Sequence, residues 1–168
     1  MKKIVIPLLV VCFAFLLYPD VLNHEVEIHS HTSHIYNYLQ DPERFQRLNP
    51  CVVEVVEHRS KDKNIKNFTI TEVYPGMSYF GTKAVSQGTL ELTKDEKIVE
   101  TINNEIGVKG VIVLTFVPAL GYERTTVKTQ ITFSGGLLNR KFASVMTSLF
   151  QQTWLNNLKK AIENKEGK

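Results

Sequence analysis

After Gly135-Gly136 the chain carries one long stretch, LLNRKFASVMTSLFQQTWLNNLKKAI, with no proline or glycine inside it. A helix of that length must bury an apolar stripe against a partner. The expected stripe is Leu138, Phe142, Val145, Met146, Leu149 and Thr153, with Leu158 and Ile162 near its end. What precedes the helix decides the partner. From Cys51 to Phe133 only strand patterns appear: CVVEVVEHR, then IKNFTITEVY after the polar break KDKN, then KAVSQGTLEL. KIVETINNEI follows the turn Thr93-Lys94-Asp95-Glu96, and GVIVLTFV and TTVKTQITF complete the set. GVIVLTFV is apolar on both faces and belongs inside a sheet. TTVKTQITF alternates cleanly, with Val127, Thr129, Ile131 and Phe133 opposite Lys128, Gln130 and Thr132. The helix therefore packs on an antiparallel sheet of six or seven strands, an α+β arrangement.

Ahead of the strands stands HEVEIHSHTSH, with four of the five histidines. Histidine is the commonest metal ligand, and a strand would put His29 and His31 on one face. A zinc site needs further Cys, His, Asp or Glu ligands at suitable spacing, and only scattered ones are available. The plainer reading is a strand over 24–30, anchored by Val26 and Ile28, running into a helix over 32–39. Ser30, Thr32 and Ser33 then offer capping oxygens, and no metal is expected. Asp41-Pro42 pairs a cap residue with a proline at the first helical position, so a second short helix follows over 43–48.

Of 168 residues, 43% are hydrophobic and 22% charged, ordinary values for a globular chain. A net charge of +3 is too small to indicate nucleic acid, and no basic stripe interleaves with aromatics. Two cysteines, Cys12 and Cys51, form no disulfide framework. Cys51 reads as a small apolar residue at a strand start. No cofactor motif is present, and nothing in the sequence sets an oligomeric state.

At the other end, MKKIVIPLLVVCFAFLLYPDVL begins with Lys2 and Lys3 and runs apolar from Ile4 to Tyr18. As a helix reaching Leu22 it would span about 28 Å at about 1.5 Å per residue, close to a bilayer core of about 30 Å. No small-residue cleavage site follows Ala14, which favours an uncleaved signal anchor over a removed signal peptide and a secreted domain. The flanking lysines keep the N-terminus cytosolic and send the domain across the membrane, to a luminal or extracytoplasmic side. Residues 1–22 are thus expected as a separate transmembrane helix through residues 4–22, and residues 23–168 as the folded domain. Asn67-Phe68-Thr69 is a possible glycosylation acceptor in such a compartment.

One strand, two short helices, a run of antiparallel strands and a long terminal helix form an order that resembles the START-like (SRPBCC) helix-grip superfamily. That superfamily includes polyketide cyclases, coenzyme Q-binding proteins and lipid-transfer domains. The resemblance covers about residues 24–163. It rests on EVEIHSHTSHIYNYLQDPERFQRLNP and FASVMTSLFQQTWLNNLKKAI. It implies a sheet curved around the C-terminal helix, with an elongated cavity between them that binds a hydrophobic small molecule such as a lipid or isoprenoid. With the alternation above, the implied lining is Phe68, Ile70, Val127, Thr129, Ile131 and Phe133 from strands. Phe142, Met146, Leu149 and Thr153 join it from the helix. Some relatives resemble cyclases or dehydratases, so an enzyme is the alternative, with Glu72, Tyr74, Glu100 and Asn104 as its polar candidates. No spacing among them demands catalysis, and no catalytic residue is assigned. A partner-docking module held at a membrane is a third class, without a sequence feature of its own.

Overall fold

The computed structural model describes residues 17–73, 83–121 and 123–164. Its strands are β1 (Val21–Ile28), β2 (Val52–His58), β3 (Ile65–Val73), β4 (Lys83–Thr93), β5 (Lys97–Asn104), β6 (Lys109–Pro118) and β7 (Thr125–Ser134). The helices are α1 (Thr32–Leu39), α2 (Pro42–Arg47) and α3 (Leu137–Glu163). The seven strands make one antiparallel sheet in the order β1-β7-β6-β5-β4-β3-β2. Strands β2 to β7 form a meander, and β1 closes its far side by pairing with β7. The expected α+β helix-grip arrangement is what the chain adopts, with the sheet curved around α3.

Local chemistry explains the boundaries. Asp41 accepts hydrogen bonds from Glu43 N at 2.9 Å and Arg44 N at 3.5 Å, and Pro42 opens α2 as expected. The cap of α1 differs from expectation, because His31 itself takes the extended capping conformation and its Nδ1 accepts from Ser33 N at 3.3 Å. Thr32 instead meets Thr125 Oγ1 at 3.1 Å, tying the start of α1 to β7. The histidine-rich stretch is therefore a strand-to-helix junction. Strand β1 begins at Val21 rather than 24, since its ladder with β7 runs from Val21 opposite Thr132 to Ile28 opposite Thr125. Val21 and Leu22 thus belong to the sheet, and Leu22 is buried in it.

Residues 1–16, with most of the apolar run, lie outside the described residues, so the expected helix over 4–22 is not among them. Among the described residues no helix is long and apolar enough to cross a membrane. The chain enters the fold against α3: Lys141 Nζ and Ser144 Oγ donate to the carbonyls of Tyr18 and Pro19. Asp20 pairs with Arg140 at 3.1 Å and Lys141 at 3.0 Å. Asn67, the possible glycosylation acceptor, is half-buried in the middle of β3.

The core lies between the lower half of the sheet, α1, α2 and the second half of α3. Ile28, Ile35, Leu39, Leu90, Ile98, Leu114, Val127, Leu155 and Leu158 are fully buried there. The inward face of α3 corrects the expected stripe. The buried residues are Lys141, Ser144, Gln151, Trp154, Leu155, Leu158 and Ile162, whereas Leu138 and Leu149 are each 65% exposed and Thr153 also faces solvent.

Candidate functional site

Strand alternation sends every second side chain to the concave face, and the registers arrange these into rows. One row crosses Phe68, Gly88, Ile102, Gly110 and Phe133. The next row toward the core crosses Leu90, Glu100, Ile112 and Ile131. Beyond it Leu92, Ile98, Leu114 and Thr129 stand side by side over the packed core. In the opposite direction Ile70, Ser86 and Asn104 form the row nearer the open end.

Above these upper rows the sheet and α3 do not close, and a cavity of about 770 Å³ remains. Its walls are largely apolar: Ile70, Ile102, Ile112, Ile131 and Phe133 from the sheet, and Phe142, Ala143, Met146, Phe150 and Trp154 from α3. Phe45, Gln46 and Asn49 complete it from α2 and the turn after it. Trp154 fixes α3 against α2, packing its ring at a tilt against Phe45 with centroids 5.2 Å apart and donating from Nε1 to the Phe45 carbonyl at 3.2 Å. The open end is framed by Lys83, Glu105, Ile106 and Phe142, of which Ile106 is 54% and Phe142 42% exposed. Asn139 Nδ2 donates to the Ile106 carbonyl at 3.0 Å, holding the β5–β6 turn against the start of α3.

The closed end is polar. Glu100 is 1% exposed, and Oε1 of its carboxylate accepts a short hydrogen bond from the Gln46 side-chain amide. Gln151 is also buried there and its Nε2 donates to Thr129 Oγ1 at 3.5 Å, whereas buried Ser86 stands two rows nearer the mouth. Burial pushes the Glu100 carboxyl up to about 8, since a charge in an apolar wall loses its hydration. The Gln46 hydrogen bond opposes that rise and the neighbouring Glu72 charge adds to it. Glu72 faces the same space from β3, half-buried, and accepts from Asn49 Nδ2 at 2.9 Å. Its environment therefore favours the protonated form of Glu100 near neutral pH.

Of the residues expected in the lining, Ile70, Ile131, Phe133, Phe142 and Met146 face the cavity. Phe68 shares their face, but its ring lies across Gly88, where an added Cβ would come within 2.3 Å of the ring. Val127 and Thr129 stand on rows below Glu100 and belong to the packed core. Leu149 and Thr153 point away from the cavity, on the far side of α3. Among the polar candidates, Glu72 and Glu100 face inward, and Asn104 Oδ1 is engaged by Val108 N at 2.8 Å in the β5–β6 turn. Tyr74 lies outside the described residues. Gln46 and Gln151 were missed; the signal for Glu100 was its place in the alternation Ile98, Glu100, Ile102, a carboxylate between two inward isoleucines. Cys51 is buried and its thiol is pushed up, chiefly by that burial. Among the described residues no three His, Cys, Asp or Glu side chains are grouped to hold a metal ion.

No protein-family model matches this sequence, and no curated protein matches it. Solved structures do match. The Zhui aromatase/cyclase from Streptomyces sp. R1128 superposes with a TM-score of 0.71 at 12% identity, over 87% of this chain and 94% of its own. TTHA0849 from Thermus thermophilus gives 0.68 at 14% identity, over 88% and 99%. A START superfamily protein from Mycobacterium smegmatis gives 0.66 at 15% identity, over 87% and 99%. At such identities the likeness is one of fold, and the chain has the START-like helix-grip fold.

Proposed function

We propose that this protein binds a hydrophobic small molecule, such as a lipid or isoprenoid, in the cavity between the sheet and α3. The observation that carries the reading is the cavity itself: about 770 Å³, mostly apolar, with a few buried polar groups gathered at one end. That combination is what a small-molecule site requires. The test is native mass spectrometry of the full-length protein released from a non-ionic detergent. A co-purifying apolar molecule is expected, and it should be lost in Met146→Trp, where the larger ring fills the space. A wild-type protein that retains no apolar ligand from a broad lipid extract would overturn the reading.

The proposal includes attachment to a membrane through the apolar segment within residues 4–22. Its support is positional. The chain enters the fold at Tyr18–Asp20, after exposed Leu17, beside Lys141 and Ser144, on the half of α3 that also carries exposed Leu138 and Leu149 and, at the cavity mouth, Phe142. A bilayer on that side would cover these apolar groups and meet the mouth. Carbonate extraction should leave the protein in the membrane pellet; release into the supernatant contradicts attachment.

Glu100 favours a second reading, an enzyme of the cyclase or dehydratase type. A buried carboxyl that keeps its proton near neutral pH has the right character for a general acid. That reading expects the bound molecule to lose water on incubation with wild-type protein but not with Glu100→Gln. An unchanged ligand mass leaves binding as the function.

A further inference from the structure

The buried polar groups of the cavity are not spread evenly along it. Glu100, Gln46 and Gln151 gather toward its closed end, above the packed row of Ile98 and Leu114, while the walls toward the mouth are largely apolar. Glu100 Oε1 is occupied by the Gln46 amide, which leaves Oε2 to the cavity. Lys83 is the only cation among the described lining residues, and it stands at the mouth. It lies seven residues along β4 from Leu90, the register partner of Glu100, a distance of about 23 Å at about 3.3 Å per residue.

We infer that the closed end receives an uncharged hydroxyl or carbonyl head, so that the ligand is a neutral amphiphile bound head-inward with its apolar body toward the mouth. This rests on the cavity being a ligand site. A purely apolar ligand would offer no partner to the Glu100 oxygen that the Gln46 amide does not engage, which is costly. An anionic head would have to lose its water on the side of the Glu72 carboxylate, with no cation at the closed end among the described lining residues. A hydroxyl or carbonyl meets neither penalty. The protonated Glu100 Oε2 donates to the head oxygen. A site built around such a hydrogen bond rejects analogues that cannot make it far more strongly than an apolar wall rejects a change of size.

The test is a competition. The full-length protein in a non-ionic detergent at pH 7 receives equal amounts of 1-hexadecanol and hexadecanoate, and native mass spectrometry reads the bound ratio. At least a tenfold excess of the alcohol is expected. Glu100→Gln, which keeps an uncharged hydrogen-bonding group, should preserve the preference, and Glu100→Leu should reduce it to threefold or less. Equal retention of the two, or preference for the acid with its carboxylate at Lys83, overturns the inference while leaving ligand binding intact. A strong preference unchanged in a folded Glu100→Leu protein overturns the role of Glu100. If Glu100→Leu fails to fold, the wild-type ratio and Glu100→Gln decide. Retention of neither molecule above the level seen with Met146→Trp removes the binding reading itself.

Discussion

Replacing Glu100 by Gln should remove a pH dependence of stability that the cavity floor imposes. The ordinary value of this carboxyl is 4.5, and burial takes it to about 8 in the folded chain. Between those two values the unfolded chain has released the proton while the folded chain still holds it. The folded state then binds more protons, so stability falls as pH rises through the window and levels off above about 8. At about 1.36 kcal/mol per pH unit, the loss from pH 5 to pH 7 is about 3 kcal/mol. That is an upper figure, because water entering the cavity softens the burial. Gln has nearly the same shape, still accepts the Gln46 amide through its oxygen, and carries no titrating group. Urea unfolding of both proteins at pH 5, 6, 7 and 8, in one non-ionic detergent, measures the effect. The stability of Glu100→Gln minus that of wild type should climb by up to about 3 kcal/mol from pH 5 to pH 7. Histidines titrating in the same range cancel in this difference, provided they do not couple to Glu100. A difference that stays flat with pH would show that Glu100 is not held protonated, and the floor would have to be treated as charged.

Three further substitutions test the frame around the site. Gly88→Ala puts a Cβ 2.3 Å from Phe68 Cζ, against a ring only 1% exposed, and should cost about 1–3 kcal/mol in thermal or urea unfolding. Trp154→Ala removes both the ring contact with Phe45 and the hydrogen bond to its carbonyl, so unfolding should show a loss of about 3–5 kcal/mol. Asp41→Ala deletes the cap of α2 and should cost about 1 kcal/mol, seen as a lower urea midpoint with unchanged slope.

The strands were legible because each reports its own burial. Val127, Thr129 and Ile131 alternate with exposed Lys128 and Gln130, and that period alone sets the concave face of β7. The turn chemistry was equally local. Asp41-Pro42 started a helix, and the Thr93–Glu96 turn places Asp95 at a φ of 56°, which aspartate tolerates better than most residues. What could not be read was depth along a strand. Val127, Thr129, Ile131 and Phe133 carry the same alternation, yet only the last two stand at or above the Glu100 row and so reach the cavity. Depth depends on the registers of neighbouring strands and on where α3 crosses them, and neither is contained in one strand's pattern. Gln46 shows the same limit: a glutamine in a short helix reads as surface until its partner, 54 residues away, is known.

The helix α3 was legible in extent and misread in orientation, and the physical reason bears on the site. Its buried side chains before Trp154 are polar, with Lys141 and Ser144 holding the entering chain at Tyr18 and Pro19 and Gln151 reaching Thr129, while Phe142, Ala143, Met146 and Phe150 wall the cavity. Only from Trp154 onward are the buried side chains apolar, with Leu155, Leu158 and Ile162 over the core. Meanwhile Leu138 and Leu149 give the outer face an apolar character that a search for the buried stripe selects. A helix serving only a core would not be built this way, since exposed leucines gain nothing from water and buried polar side chains must each find a partner. Departures from binary patterning of this kind concentrate where a chain does something besides fold. Here both departures fall on the same half of α3, the half that walls the cavity mouth and receives the N-terminal segment. The part of the helix that departs from the folding pattern is the part at which ligand entry and membrane attachment are proposed.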